Sequence, residues 1–388
     1  MLNGGGDKMA SVSYKAPVNP RILKWARESL AINVERAAKT ALVDPDRYKK
    51  WEYGEDLPTV AMLRRLANLY KRPMAVFFMP EVPEDPPLPQ DFRTAYGDYD
   101  TGLSTEAKLA IRKAMWYQSI ARDLMREIGY DFSSDQGGVI DIKAPIDDIV
   151  KKERRLDIDD QLSWADNWEA LRNWRQYLED QGLFVFQMSM PSNEIRGFSL
   201  LRDNYPPAIV INSKDTPNGR IFTLFHEYGH FLLDTAGICL PEEVEFRDHQ
   251  TDSVEQFCNE FAGRFLVPTE PFVQFVDEFE GTDLFELIYS LSRKFTVSTF
   301  VILRRLYAIE RIDYDTYQQT YKILWSRVKK TASSGGDFYK NKITERGKKL
   351  VSLVVEAESG NRITTSKALE ILDIKLNHYN RIIDMLYE

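Results

Sequence analysis

The stretch Phe225-His226-Glu227-Tyr228-Gly229-His230-Phe231 holds two of the chain's four histidines, four residues apart, with a glutamate directly after the first. Residues four apart share one face of a helix, so His226 and His230 can point two imidazoles at one metal ion. Glu227 stands beside them, placed to take a proton from a water on that metal. A catalytic zinc takes three protein ligands and a water, so one more side chain must come from elsewhere. Glu255 is the preferred third ligand. It opens a stripe of Glu255, Asn259, Ala262/Gly263 and Leu266 that sets a carboxylate among small residues, so a second helix can come close. Asn259, one turn on, could orient the site from behind the ligands. Asp248 and His249 in the connecting loop compete for the third place, as does Glu260, which is turned away from the Glu255 stripe. Hydrolysis of an amide also needs a donor for the tetrahedral oxyanion, and Tyr228, His249 and Arg264 are all candidates. Gly229, with no side chain between the two histidines, would let the helix of Glu255 pack closely.

Such a site needs a helix running through a core. The apolar flanks Ile221-Phe222-Thr223-Leu224 and Phe231-Leu232-Leu233 predict one over 218–233. Residues 251–266 predict its partner, with Val254, Phe257/Cys258, Phe261 and Phe265 as core stripe. Three short β runs come just before: Leu183-Phe-Val-Phe-Gln187, Arg196-Gly-Phe-Ser-Leu-Leu201 and Ala208-Ile-Val-Ile-Asn212. One of them could hold an extended substrate by main-chain hydrogen bonds. Earlier still, a long amphipathic helix is expected over 104–128. Another is expected over 164–180, with Trp168, Leu171, Trp174 and Leu178 as core. The fold class expected is α+β, mostly α.

With 388 residues, a net charge of −8 and ordinary apolar content, the chain reads as a soluble protein of two or three domains. It contains no apolar run near the ~20 residues that span a membrane. Residues 1–14 read as a flexible leader without the apolar core of a signal peptide, and Met9 could be an alternative start. Cys239 and Cys258 are expected as free thiols in a reducing cytoplasm.

Residues 15–79 carry 13 Lys/Arg against 7 Asp/Glu, a basic module of net +6 in an acidic chain. Short helices joined by tight turns are expected there. One opens on Asp44-Pro45, an acid at the cap and Pro in the first turn. This is the layout of a helix-turn-helix domain. Its exposed candidates for DNA contact are Arg47, Lys49 and Lys50, with Asp46 among them. Asp44 and Asp46 would repel the DNA backbone or restrict base choice, so docking to protein is the other reading. Pro80, Pro83, Pro86, Pro87 and Pro89 mark a stiff linker over 80–100. At the far end, 284–309 again reads helix-turn-helix. Arg304 and Arg305 there could touch DNA, or the pair could be a packed buttress for the metal helices. Residues 331–336 read as a flexible joint and 340–349 as basic. The tail, 331–388, is expected to be helical, either a solvated cap or a partner-docking module.

The string Trp51-Glu52-Tyr53-Gly54, Pro58-Thr59, Leu63 and Leu66-Ala67 resembles the XRE (Cro/cI-like repressor) family over about sixty residues. That resemblance implies that 44–51 is the recognition helix. Over about 180–310 the sequence resembles the ImmA/IrrE family of metallopeptidases. Phe225-His-Glu-Tyr-Gly-His230, the strand Ala208-Ile-Val-Ile-Asn212 and the string Glu255, Asn259, Phe261, Ala262, Leu266 and Pro268 carry the likeness, with Cys258 and Phe265 replacing the usual Ala and Leu. It implies a gluzincin-like zinc site with His226, His230 and Glu255 as ligands and Glu227 as general base, in an intracellular endopeptidase that cuts a repressor or antitoxin-like regulator. The alternative is a DNA-binding regulator or antitoxin whose peptidase-like domain, over 101–330, serves as a sensing scaffold. Expected partners are a protein substrate, DNA, and a second copy of the chain, since XRE-like domains often work as dimers on two half-sites.

Overall fold

The computed structural model describes residues 14–83, 103–130, 140–235, 238–239, 253–279, 281–327 and 337–387. They fall into two compact units. Described residues 14–83 and 103–109 group in one, and those from Ala110 onward in the other.

The first unit holds α1 (Pro20–Glu28), α2 (Val34–Ala41), α3 (Pro45–Tyr53), α4 (Val60–Tyr70) and a 3-10 turn, Met74–Phe78. Side chains start these helices, and of the four caps Asp44 is the one expected from the sequence. Asn19, Asn33, Asp44 and Thr59 each accept from a backbone N–H of the first turn. The Trp-Glu-x-Gly string has a physical reason at each place. Trp51 is fully buried and its indole N–H donates to Asp56 at 3.2 Å. Glu52 takes a two-pronged ion pair from Arg27, at 2.7 and 2.9 Å. Gly54 ends α3 at φ 77°, a conformation that favours glycine. The 3-10 turn had no signal in the helical pattern, yet it inserts Phe77 fully into the core, and Phe77 O accepts from Asn19 N at 2.8 Å. Burial of one such side chain contributes about 1.5–3 kcal/mol.

Helix α5 (Thr105–Glu127) comes next. The second unit then runs α6 (Ile146–Glu153), α7 (Ile158–Leu162), α8 (Asn167–Asp180), β1 (Phe184–Met188), β2 (Gly197–Leu200), β3 (Ala208–Asn212), α9 (Pro217–Leu232), β4 (Ile238–Cys239) and α10 (Ser253–Leu266). Beyond these are α11 (Thr269–Glu278), α12 (Leu284–Lys294), α13 (Thr299–Ala308), α14 (Tyr314–Arg327), α15 (Phe338–Arg346), α16 (Lys348–Ser359), α17 (Thr365–Leu372) and α18 (Tyr379–Tyr387). The described residues are mostly α with one small sheet, the α+β class expected. Strand order is β1-β3-β2-β4, with β1 parallel and β2 antiparallel to β3, and β4 antiparallel to β2.

The sheet is covered on both faces, so its strands read as continuous apolar runs rather than alternating ones. Val185, Ile209 and Ile211 join the core shared with α8, α9 and α10. Trp174 is the hinge of that layer, its ring 4.8 Å from Phe225 and 5.9 Å from Phe265. On the other face Phe186 packs on Tyr117, at 5.5 Å. Trp168 does not join the core as expected. It is 53 % exposed at the start of α8, with the Arg220 guanidinium 5.4 Å from its ring.

The tail packs as a further layer rather than standing as a solvated cap. Arg346 is 1 % exposed and donates to Ile371 O, and Tyr117 donates to Glu345 at 2.9 Å. Much of the basic stretch over 340–349 is consumed inside the unit. Lys342 pairs with Asp373, and Lys349 donates to Glu179 O at 2.7 Å. Arg175 reaches across to Val185 O and Thr344 O, so the tail covers the outer edge of β1. The expected joint at 331–336 and nearly all of the expected linker at 80–100 lie outside the described residues.

Candidate metal centre

Two crossing helices build the site. Helix α9 starts at Thr216, whose hydroxyl accepts from Gly219 N, with Pro217 at its first position. From Arg220 to Leu232 nearly every residue is buried, the pattern of a helix through a core. His226 and His230 come out on one side, and α10 crosses that side. The close approach depends on Gly229. A Cβ there would meet Cys258 Sγ, Cα and Cβ at 3.1, 3.2 and 3.3 Å. Cys258 is a buried thiol that fills the crossing.

Across this contact His226 Nε2, His230 Nε2 and the Glu255 carboxylate converge, with ligand atoms within 4.8 Å of one another. Nε2 of His226 lies 3.2 Å from Nε2 of His230. Glu255 Oε2 lies 3.1 Å from the first and Oε1 3.0 Å from the second. His226 and His230 are buried, whereas the Glu255 side chain keeps 17 % exposure, which marks the side open to solvent.

The hydrogen-bond pattern behind the ligands tests whether this set suits a cation. Asn259 Oδ1 lies 3.0 Å from His226 Nδ1. A carbonyl oxygen only accepts, so His226 carries its hydrogen on Nδ1 and turns the bare lone pair of Nε2 inward. Glu255 Oε2 is buried, faces that nitrogen at 3.1 Å and makes no hydrogen bond among the described residues. A carboxylate and two imidazole nitrogens form the donor set that a zinc-like ion takes. The residues fit a metal.

Glu227, next to His226, is fully buried. Its chain passes under β2. A Cβ on Gly197 would stand 3.8 Å from Glu227 Cγ and only 2.4 Å from Thr223 Cγ2, so the bare backbone of Gly197 lets the strand lie over the helix there.

Two of the oxyanion candidates are corrected by the geometry. Tyr228 points to the opposite face of α9, where its hydroxyl donates to Glu153 Oε2 at 3.1 Å among Phe225, Phe261 and Phe265. Burial, with Glu153 beside it, pushes this phenol above its ordinary value. Arg264 is nine residues from Glu255, half a turn round α10, and pairs with Asp147 at 2.7 Å and Glu260 at 2.9 Å. The same pair removes Glu260 as a competing ligand. His249 and Asp248 lie outside the described residues. Helices α12 and α13 act as the buttress. Arg305 is buried and donates to Val267 O at 3.1 Å, just past the end of α10.

Sequence reasoning missed two residues around this site. Asn212 is buried at the end of β3. Its amide donates to Met190 O and Ile195 O, and its Oδ1 accepts from Met190 N and Lys214 N, which ties together the loops leading to β2 and α9. Thr235 places its hydroxyl 3.3 Å from His230 Nδ1. A polar residue closing an apolar strand was the readable signal for the first. For the second it was a hydroxyl one turn past His230.

In the first unit Arg47, Lys49 and Lys50 are exposed on α3, as expected. Arg47 leans on Asp56 at 3.3 Å and Lys49 on Asp46 at 3.6 Å, while the backbone N–H of Arg47 is capped by Asp44.

Residues 178–307 match the family described as the IrrE N-terminal-like domain (Peptidase_M78), and residues 23–77 match the helix-turn-helix family. Neither a curated protein nor a solved structure matches the chain. The chain thus carries a segment similar to helix-turn-helix domains and, after it, one similar to the IrrE N-terminal-like peptidase domain, and the His226, His230 and Glu255 cluster that could hold a metal falls within the second.

Proposed function

We propose that this protein is a zinc-dependent endopeptidase of the cytoplasm that cleaves a regulatory protein, a repressor or antitoxin-like factor. The helix-turn-helix module over 15–79 brings it to DNA or to that target. One observation carries the reading. Two imidazole nitrogens and a carboxylate oxygen converge on one point, while a buried glutamate stands beside the first of them.

His226, His230 and Glu255 would hold the ion, in the gluzincin-like arrangement. When bound, it supplies Lewis acidity, polarising the scissile carbonyl and lowering the pKa of a water to about 7. Glu227 takes the proton of the attacking water and passes it to the departing amine. Asn259 keeps the His226 ring in place and in the right tautomer. Burial around Glu227 keeps bulk water from competing for that proton. The exposed Lys49 and Lys50 on α3 favour DNA as the ligand of the first unit.

The test is zinc content and cleavage of co-expressed candidate regulators, wild type against Glu227→Gln. Metal retained in both, with cleavage lost by at least about 100-fold in the variant, is the expected result. A wild type that binds no zinc defeats the enzyme reading. A wild type that binds zinc, cuts no regulator and shifts its own promoter DNA favours the scaffold reading.

A further inference from the structure

Asn259 accounts for the orientation of one ligand imidazole. The other, His230, meets a different device. Helix α9 closes in a Schellman motif. Asp234 turns into the left-handed region at φ 52°, its N–H donates to Phe231 O at 3.1 Å, and Thr235 N–H donates to His230 O at 3.0 Å. This closure folds the chain back on the last turn. It leaves Thr235 Oγ1 3.3 Å from both His230 Nδ1 and His230 O. A hydroxyl has one hydrogen and two lone pairs. With the hydrogen given to the carbonyl, only a lone pair is left to face Nδ1, and Nδ1 must then carry a hydrogen of its own.

From this geometry we infer that Thr235 is a positioning residue. It fixes His230 as the Nδ1–H tautomer and aims the lone pair of Nε2 at the metal. His226 is held by an amide on the crossing helix. His230 is held by the end of its own helix, so the C-terminal cap of α9 belongs to the site. The inference rests on the zinc reading above and adds a residue that reading does not need.

Purified full-length protein is loaded with Zn2+ and titrated against a chromophoric chelator, as wild type, Thr235→Val, Thr235→Ser and His230→Ala. The cobalt(II)-loaded forms are compared by visible absorption, and the metal-free forms by circular dichroism. The valine variant keeps the metal-free fold, weakens zinc about 10–100-fold and shifts the cobalt bands. The serine variant, which keeps the hydroxyl, stays near wild type in both. If Thr235→Val binds zinc like wild type while His230→Ala loses it, the inference falls and the site reading stands. Equal losses in the serine and valine variants assign the effect to the shape of the helix end rather than to the hydroxyl, and also overturn it. A wild type that takes up no zinc removes the site reading and the inference together.

Discussion

Gly229→Ala tests whether the approach of α10 to α9 is what assembles the ligand set. The added methyl would sit 3.1 Å from Cys258 Sγ, 3.2 Å from its Cα and 3.3 Å from its Cβ. Carbon contacts are comfortable at about 3.5–4.0 Å, so the helices must part by roughly 0.4 Å. The Sγ could swing aside, but the Cα is backbone and moves only with its helix. Overpacking of this kind costs about 1–3 kcal/mol, and Ala returns about 1 kcal/mol in helix propensity over Gly. The metal-free protein should therefore lose about 0–2 kcal/mol. Zinc affinity is the sharper readout. Glu255 rides on the displaced helix, and metal bonds tolerate about 0.2 Å, so affinity should drop at least about tenfold. Urea unfolding of the metal-free chain and chelator competition for zinc measure the two effects separately. A variant that gains about 1 kcal/mol, as propensity alone predicts, with zinc binding unchanged, would refute the argument.

Two further outcomes follow from the structure. Glu179 is buried beside the tail, and burial pushes its carboxyl up to about 7 against the opposing pull of Arg175 and Lys349. Its folded pKa lies above the unfolded one, so its contribution is full below about 4.5 and is lost as pH rises through about 7. Unfolding free energies from urea titrations should fall between pH 5.5 and 8 by about 2 kcal/mol more in wild type than in Glu179→Gln, and equal slopes would count against this. If α3 docks on phosphates, Lys49→Ala and Lys50→Ala should each weaken promoter binding and flatten its dependence on salt by about one unit of log–log slope. An unchanged slope in both would point the module at protein instead.

Local periodicity made much of the fold legible. The strand Ala208–Asn212 and the ends of α9 came within a residue or so, because an apolar run bounded by turn residues and a capped apolar helix are decided by near neighbours. The Glu255 stripe was legible for the same reason, since a carboxylate and small residues on one helical face are visible in spacing alone. Tyr228 was misjudged, although helical spacing already turns a residue two places from His226 to the far side. Trp168 was misjudged for another reason. It has core spacing, but it lies at the first turn of α8 and stays half exposed. Phe77 sits in a five-residue 3-10 turn too short to show a period, so only the core it fills reveals it.

By itself the sequence determined the chemistry on offer: two imidazoles on one helical face, a glutamate beside them, a carboxylate on a second amphipathic helix, and a basic helical module ahead. These depend on residue type and on separations of three or four positions. Tertiary structure alone decided that the three ligand atoms meet, because Gly229 and Glu255 are joined only through the crossing of α9 and α10. It alone brought Glu153 to Tyr228 and Asp147 to Arg264. It also set Thr235 against His230, through a helix end whose closing turn is carried by Asp234 in a left-handed conformation that no apolar pattern announces.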